Sequence, residues 1–288
     1  MGSINTEYQE ASLDTDGFTA KMVDYINNKM AAADDDATNS VTNVATDTGG
    51  IAGRSSGMIL TSVNTGTVGY EHIGYNVGGI VGRTDGLVSG CVNQGHVLGR
   101  KDVGGIAGQA DSATIEACAN YATVTGTRQN VGGIVGRLNG KSAARSTVLR
   151  CANFGTISNG TNNFSAGIVG TAYYTTLSEC YNVGSATGNR VGGILGQTDS
   201  NTTVTSCYNA GAITLAAAGN YNYAGSLIGY NGGSVSNCYY LTGTQAIGSG
   251  SGDTTALTEE QLKSFDTVLK LGGAFVNDAK NQNSGYPV

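Results

Sequence analysis

The chain repeats one short motif seven times, and this repetition constrains its fold more than any other feature. The copies are apolar segments flanked by glycine: TGGIAG (48–53), VGGIVG (77–82), VGGIAG (103–108), VGGIVG (131–136), SAGIVG (165–170), VGGILG (191–196) and AGSLIG (224–229). Their last glycines are 26 to 34 residues apart. Such a period is typical of repeat proteins, in which each unit buries its apolar face against its neighbours.

A second element follows each apolar segment, and it carries a cysteine with an asparagine two residues later. The cysteines are Cys91, Cys118, Cys151, Cys180, Cys207 and Cys238, and the asparagines are Asn93, Asn120, Asn153, Asn182 and Asn209. The first copy has Ser62 and Asn64 at these positions, and the last copy has Tyr240 instead of asparagine. We predict that the asparagines form a hydrogen-bonded ladder from repeat to repeat. The cysteines are expected to form an internal column of small apolar side chains.

The repeat geometry favours free thiols over disulfides. Stacked strands are about 4.8 Å apart with parallel side chains, whereas disulfides need facing Cβ atoms about 3.8 Å apart. Three disulfides are the alternative, which an oxidising location would permit. No C-x-x-C pair is present, so no zinc site is predicted. Three tyrosines that each follow a cysteine are expected to stack in a row, namely Tyr181, Tyr208 and Tyr239.

Each repeat contains three short segments of β character: the apolar triplet, the stretch before the cysteine, and the stretch around the final Val or Ile. Gly, Asn, Asp and Ser corners separate them. Glycine accounts for 46 of 288 residues, more than twice the usual share of about 7%. Glycine allows tight corners and leaves no side chain between stacked repeats. The sequence therefore predicts an all-β, single-stranded parallel β-solenoid (β-helix) of about seven coils with three short strands per coil.

The chain divides into three predicted segments. Residues 1–45 are expected to form an N-terminal helical cap and linker, because four apolar residues share one helical face: Phe18, Met22, Ile26 and Met30. Residues 46–245 form the solenoid. Residues 246–288 are expected to form a C-terminal helical cap, which begins at a capping box of Thr258 and Gln261. The final NSGYPV has the character of a cut end, from which a longer protein would continue.

The two recurring elements together resemble the GLUG repeat. The pattern G-[GA]-[IL]-[VAL]-G followed by C-[VAY]-N-x-[GA]-x-[VIA] covers roughly residues 49–245, and the tail from LTEEQLKSF onward is similar to a segment that often follows such repeats. GLUG repeats occur in large secreted and wall-attached bacterial proteins, including IgA-specific metallopeptidases and adhesin-like proteins. The resemblance implies a β-solenoid and a surface or secreted location. It implies no catalytic residues, because these repeats are accessory regions of the enzymes that contain them.

Composition and motif context exclude several function classes. The net charge is −6 and no Lys/Arg cluster exists, which argues against nucleic acid and anionic membrane surfaces as partners. No run of 18 apolar residues is present, so we predict no membrane insertion in this segment. No signal peptide is recognisable, so an export signal would lie outside this chain. The glycine-flanked triplets are followed by turn residues rather than a helix start, so they are not expected to bind phosphate.

The titratable residues give little support for catalysis or metal binding. His72 and His96 occupy different positions of their repeats, and Asp34-Asp35-Asp36 lacks the alternating ligands of a calcium loop. Three acids share the corner after the triplet, as single turn residues rather than as a dyad in contrasting environments: Asp85, Asp111 and Asp199. We therefore predict no catalytic residue, no metal and no cofactor.

The segment between the cysteine position and the next triplet is longer in three of the repeats. Segments 69–76, 158–165 and 215–223 are longer than their counterparts and are expected to project from one side of the solenoid. Their aromatic and amide residues form the candidate binding site: Tyr70, Tyr75, Asn162, Asn163, Phe164, Tyr221, Asn222 and Tyr223. Aromatic rings with amides suit sugars or a partner protein. The alternative is that these rings only cover neighbouring corners.

These observations lead to a hypothesis of a non-enzymatic repeat module in a bacterial surface or secreted protein. It would act extracellularly, as a monomer, as a spacer or as an adhesin-like region that binds a host glycan or host surface protein. One alternative is a carbohydrate-active β-helix enzyme with its site on a coil face. Another is the accessory region of a larger surface peptidase.

Overall fold

The computed structural model is an all-β parallel solenoid, as the repeats predict. It describes residues 45–159, 164–217 and 222–288, so the predicted N-terminal helix lies outside the described residues. Strands of successive coils pair in parallel and form five sheets of six to eight strands. Six consecutive coils contribute one strand to every sheet, and a seventh lacks only the strand of the last sheet.

We number the sheets in the order in which each coil passes through them. Sheet 1 contains Ala45–Gly49, Tyr75–Gly78, Lys101–Gly104, Val131–Gly132, Phe164–Ala166, Arg190–Gly192 and Tyr223–Gly225. Sheet 2 contains Ala52–Ser55, Val81–Thr84, Ala107–Asp111, Val135–Asn139, Val169–Tyr173, Leu195–Thr198, Ile228–Tyr230 and Ile247–Ser249. Sheet 3 contains Met58–Leu60, Leu87–Ser89, Thr114–Glu116, Ser146–Leu149, Thr175–Ser178, Thr203–Thr205 and Ser234–Ser236.

The remaining two sheets complete each coil. Sheet 4 contains Val63–Asn64, Val92–Asn93, Ala119–Asn120, Ala152–Asn153, Tyr181–Asn182, Tyr208–Asn209, Cys238–Leu241 and Thr254–Leu257. Sheet 5 contains Val68–Gly69, Val97–Gly99, Val124–Gly126, Ile157–Asn159, Ala186–Gly188 and Ile213–Leu215. The strands at 247–249 and 254–257 continue sheets 2 and 4 beyond the predicted solenoid segment, although they carry neither recurring motif.

A coil therefore has five strands where the sequence predicts three. The apolar triplet is a corner rather than a strand: in the second coil Gly79 and Ile80 form the bend between sheets 1 and 2. Five of the cysteines likewise lie at a bend between the strands of sheets 3 and 4, whereas Cys238 begins a strand of sheet 4. Of the three predicted strands, the triplet is divided by a sharp turn, whereas the stretch before the cysteine and the stretch around the final Val or Ile are the strands of sheets 3 and 5.

Two separate apolar cores run along the solenoid. The larger is built from the corner isoleucines, the cysteines and the inward residues of sheets 2 and 3, and it includes Ile106, Ile134 and Ile168. The smaller lies between sheets 1 and 5 and consists mainly of valines, such as Val103 and Val124. Each column stacks one residue per coil, so neighbouring coils complete each other's cores.

The predicted asparagine ladder is present in sheet 4. Five successive Nδ2-to-Oδ1 hydrogen bonds of 2.7–2.8 Å connect six asparagines: Asn64, Asn93, Asn120, Asn153, Asn182 and Asn209. Each Nδ2 also donates to the backbone carbonyl two residues further on, at 2.7–2.9 Å. The five asparagines of the second to sixth coils are each at most 1% exposed. Both amide hydrogens are therefore bonded inside the protein, as a buried amide requires.

The amides of this ladder pack directly against the second glycine of the triplets. A Cβ atom on Gly79 would lie 2.4 Å from Asn93 Oδ1 and 2.2 Å from the carbonyl oxygen of Gly105. The same pairing recurs between Gly105 and Asn120. Any side chain at these glycines would displace the amides or the next coil, so glycine is required here for space.

The ladder ends where both motifs change together. In the seventh coil Tyr240 replaces the asparagine, and Ser226 replaces the second glycine. Asn209 donates from Nδ2 to Ser226 Oγ at 3.1 Å, so the last amide of the ladder keeps a partner. The two substitutions in the seventh coil, Ser226 and Tyr240, thus mark the same end of the ladder.

The C-terminal segment contains two short helices, α1 (Glu259–Leu262) and α2 (Phe265–Leu271). The predicted capping box is confirmed: Thr258 Oγ1 accepts from the Gln261 backbone, and Gln261 Oε1 accepts from the Thr258 backbone. Leu262 and its apolar neighbours pack on the outer side of sheet 4, in a third cluster that includes Tyr208 and Tyr239. The helices therefore cover the flank of the last coils. In the described part of the chain no helix has the length and apolarity to cross a membrane.

Substitution of the second glycine tests the fit between the ladder and the corner. In Gly133→Ala the new methyl would lie 2.0 Å from the carbonyl oxygen of Gly167 and 2.4 Å from Asn153 Oδ1. We expect it to lower the free energy of unfolding by about 1–3 kcal/mol or more, as overpacked cores do. Gly57→Ala is the matched control, because nothing lies within 4 Å of its Cβ position. Urea unfolding followed by circular dichroism measures both, and equal stabilities would contradict the prediction.

Substitution of a corner isoleucine tests the larger core. Ile134 is fully buried between its counterparts in the adjacent coils. Ile134→Asp places an unpaired carboxylate there, so we expect a loss of more than about 4 kcal/mol and unfolding of several coils. Ser158→Asp, at an exposed position of sheet 5, should leave the melting temperature nearly unchanged. Hydrogen exchange that remains slow throughout the Ile134→Asp protein would refute this prediction.

Candidate functional site

The three long segments of the sequence analysis begin and end at one corner of the solenoid. The described ends of each lie at a strand of sheet 5 and at the following strand of sheet 1. Three of the predicted site residues are outside the described residues, namely Asn162, Asn163 and Tyr221. Of the others, Phe164 and Tyr223 belong to one cluster at this corner and Tyr75 belongs to a second, and each cluster combines basic and aromatic side chains.

The larger cluster surrounds one guanidinium group. Arg190 Cζ lies 5.1 Å from the ring centroid of Phe164, 5.8 Å from that of Tyr223 and 5.4 Å from that of Tyr230. All three distances are within the range of cation–π attraction. We call these four residues, Phe164, Arg190, Tyr223 and Tyr230, the aromatic platform.

Strand pairing explains how the aromatic platform is assembled. Phe164, Arg190 and Tyr223 are register neighbours on three successive strands of sheet 1. Tyr230 lies in sheet 2 beside Gln197, and the Tyr223 and Tyr230 centroids are 6.0 Å apart with ring planes 40° from parallel. Arg190 also donates from Nη1 to Gln197 Oε1, which orients the guanidinium. The result is a half-buried surface of three rings and two polar side chains, in which Tyr230 is 38% exposed.

The smaller cluster is centred on Tyr75, in the second coil. Arg100 Cζ and Lys101 Nζ lie 5.5 and 5.1 Å from its ring centroid. Lys101 is its register neighbour in sheet 1, and Arg100 donates from Nη1 to the Tyr75 hydroxyl. The clusters occupy different coils, so the structure does not bring all predicted aromatic residues together.

Two predicted site residues have local structural contacts. Tyr70 forms an antiparallel bridge with Ile73 that closes its own loop. Asn222 donates from Nδ2 to the Ala217 carbonyl oxygen at 2.7 Å, which joins the two described ends of the segment before Tyr223. These contacts fit the alternative that some of the listed residues only stabilise corners.

The corner acids occupy one register row at the end of sheet 2, but their surroundings differ. Asp199 accepts from the Tyr174 and Asn201 backbones and from the Thr202 hydroxyl, which is a turn-stabilising arrangement. Asp111 accepts from Gln109, Asn139 and Arg83, and these contacts engage both of its oxygens.

Hydrogen bonding controls the ionisation of Asp111. Burial alone would raise its pKa, but the donors Gln109, Asn139 and Arg83 lower the pKa below the ordinary value. Asp111 is therefore a fixed anion. No group of three or more His, Cys, Asp or Glu side chains that could hold a metal ion occurs in the described ranges.

The cysteines form the predicted column inside the larger core. All six are buried and free, and the thiols of the column contact backbone carbonyls, such as Cys118 Sγ with the Glu116 oxygen at 3.2 Å. Burial raises the pKa of the Cys151 and Cys207 thiols well above the ordinary value, because a thiolate loses its hydration there.

The predicted aromatic row is present in part. Tyr181 and Tyr208 stack with centroids 5.2 Å apart and nearly parallel planes. Tyr239 shares their register, but its hydroxyl donates to Asn237 Oδ1 and it belongs to the cluster beneath the C-terminal helices. Tyr121 and Phe154 extend the row with a further stacked pair, which the sequence analysis missed.

Sequence reasoning also missed Arg190 and Tyr230, which complete the aromatic platform. The signal was available: Phe164, Arg190 and Tyr223 each come directly before their copy of the apolar motif, SAGIVG, VGGILG and AGSLIG. Residues at equivalent repeat positions become neighbours, so a basic residue between two aromatic residues predicts a cation–π stack. Comparison of the chain with protein-family models, curated proteins and solved structures gives no match.

The buried thiol column predicts a stability that falls at high pH. The unfolded chain releases thiol protons near pH 9, whereas the folded chain retains them because the pKa of Cys151 and Cys207 is raised. The unfolded state therefore binds fewer protons above that pH, and the free energy of unfolding decreases. Cys151→Ser should reduce this dependence in urea titrations at pH 7 and pH 10. Rapid labelling of native thiols by iodoacetamide at pH 8, or disulfides found by mass spectrometry, would contradict the buried free column.

Proposed function

We propose that this chain is a non-enzymatic repeat module of a bacterial surface or secreted protein and that its aromatic platform binds a glycan of the host. The observation that carries the proposal is the convergence of Phe164, Tyr223 and Tyr230 around Arg190 on one outer corner. The resemblance to GLUG repeats supports the bacterial surface or secreted location.

The chemistry of the aromatic platform suits a sugar. Aromatic faces pack against the apolar faces of pyranose rings, while adjacent polar groups bond the hydroxyls. Arg190 and Gln197 supply such polar groups beside the rings. The ring positions are set by paired strands rather than by loops alone, so little ordering is required on binding.

The surroundings of Asp111 favour an anchoring role over general-acid catalysis. A hydrolase of the common two-carboxylate type needs one carboxyl that carries a proton at neutral pH and a second that is ionised. Asp111, a half-buried corner acid, has a lowered pKa and both oxygens engaged by donors. It therefore suits the role of an anchor better than that of a general acid.

Binding to immobilised glycans tests this function. We expect the wild-type protein to bind a subset of host glycans, and Tyr230→Ala to weaken that binding at least about tenfold, as for a central aromatic contact. Tyr121→Ala removes an aromatic ring that is 54% exposed on sheet 4 and should bind as wild type. Thermal unfolding of both variants checks that the fold is retained. Absence of glycan binding, or equal loss in both variants, would overturn the proposal.

A further inference from the structure

A cleft of about 670 Å³ lies on the outer side of the first four coils, away from the residues of the aromatic platform. This volume is within the usual range for small-ligand sites, about 300–1,000 Å³. Its lining combines outward residues of sheet 2 with the turn that follows the fourth strand of that sheet. The lining residues used below are Arg54, Arg83, Asp111, Ser112 and Lys141.

One wall of the cleft is an insertion that distinguishes the fourth coil. Six residues, 140–145, separate Asn139 from the next strand, and Lys141 and Ala144 exchange two backbone hydrogen bonds of 2.9 and 3.0 Å. Arg145 fixes the turn by donating from Nη2 to the Thr175 carbonyl oxygen at 2.9 Å. The wall is therefore a braced turn.

The floor of the cleft holds a guanidinium group in place. Arg83 donates from Nε to Asp111 Oδ2 at 2.7 Å, and Asp111 is itself bound by Gln109 and Asn139. Within the described part of the chain, the structure gives no acceptor to the two Nη atoms of Arg83. A guanidinium fork of this kind matches the two oxygens of a carboxylate.

Two further basic groups point to an anionic occupant. Arg54 is the register neighbour of Arg83 in sheet 2. The two arginines therefore lie side by side on paired strands, whose backbones are about 4.8 Å apart. Lys141 adds a third basic residue to the lining, against two acids, Asp85 and Asp111. Like charges in register destabilise a sheet, and an anion between them would remove that repulsion. In a chain of net charge −6, this concentration of basic groups in a cleft is notable.

A buried hydroxyl in the same cleft also lacks a partner. Ser112 Oγ is shielded from solvent and has no hydrogen-bond partner among the described residues. Unsatisfied buried polar atoms are rare in folded proteins because each loses its hydration without compensation. Because Ser112 lines the cleft, rotation about its Cα–Cβ bond would turn this hydroxyl towards a ligand hydroxyl or carboxylate oxygen there.

We propose that this cleft binds a carboxylate-bearing sugar, with the carboxylate on Arg54 and Arg83 and a ring hydroxyl or ring oxygen near Ser112. Lys141 supplies additional positive charge from the braced turn. The assignment of a sugar rests on the proposed glycan-binding function, whereas the carboxylate follows from the cleft alone.

Calorimetry with a defined acidic oligosaccharide tests this site. Tetragalacturonate should bind the wild-type protein, and the same tetrasaccharide with its carboxyls reduced to alcohols should bind at least about tenfold more weakly, because charge-assisted pairing is lost. We expect binding to weaken when the salt concentration is raised from about 20 to about 300 mM, because the Debye length falls from above to below about 10 Å over this range. Preference for a sulfated over a carboxylated oligosaccharide would overturn the assignment.

Charge-matched variants locate the site. Arg54→Gln should weaken tetragalacturonate binding at least about tenfold without a change in melting temperature, because this side chain is exposed and makes no described ion pair. Arg150→Gln removes the same charge from an exposed position on another face and should bind as wild type. Equal affinities of the two variants would overturn the proposal.

The aromatic platform variant separates this inference from the proposed function. Tyr230→Ala should retain tetragalacturonate binding while losing the glycans that bind the aromatic platform. If the wild-type protein binds those glycans but not tetragalacturonate, the cleft assignment fails and the proposed function stands. If it binds tetragalacturonate with the expected Arg54 dependence but no other glycan, the proposed role of the aromatic platform fails.

Discussion

The contact between the asparagine ladder and the second glycine of each triplet is the constraint on which the solenoid depends. The amides connect coil to coil along the axis and also fix the turn two residues further on, so one side chain controls both stacking and local bending. The space they need exists only because the opposing corner has no Cβ. The asparagine and the second glycine therefore depend on each other, and both are replaced in the same coil, by Tyr240 and Ser226.

The ladder also separates the two apolar cores. Isoleucines and cysteines stack in one column, valines stack in the other, and each contact is between residues of equivalent position in adjacent coils. Stability in such a fold is a sum of nearest-neighbour terms rather than a property of one central core. Charged and aromatic side chains consequently accumulate on the outer rows, where register places like positions beside each other, as with Arg54 and Arg83 or Phe164 and Arg190.

The fold could be predicted from the repeated motifs, whereas the arrangement of side chains on the outer surface could be predicted only in part. Periodicity alone was enough for the solenoid, the asparagine ladder and the cysteine column, because identical residues at one phase must meet. The number of strands per coil was underestimated, since a glycine corner inside an apolar segment has the same composition as a glycine-rich strand. Arg190 and the cleft were missed for another reason. They depend on residues that differ between repeats, whereas a search for repeats finds the residues that the copies have in common. The insertion at 140–145 was visible as the long interval between Gly136 and Cys151, but its role as a wall required the neighbouring coils.

The braced turn at 140–145 shows where this architecture can change without cost to the rest. The turn begins after the last paired residue of sheet 2 and ends at the first paired residue of sheet 3. Its length therefore does not change the register of either sheet. The same holds for the long connections between sheets 5 and 1. Corners are therefore positions at which new surface can be acquired by insertion while the ladder and both cores are inherited unchanged. A solenoid of this kind can therefore change its outer surface at one corner while the stacking of its coils stays the same.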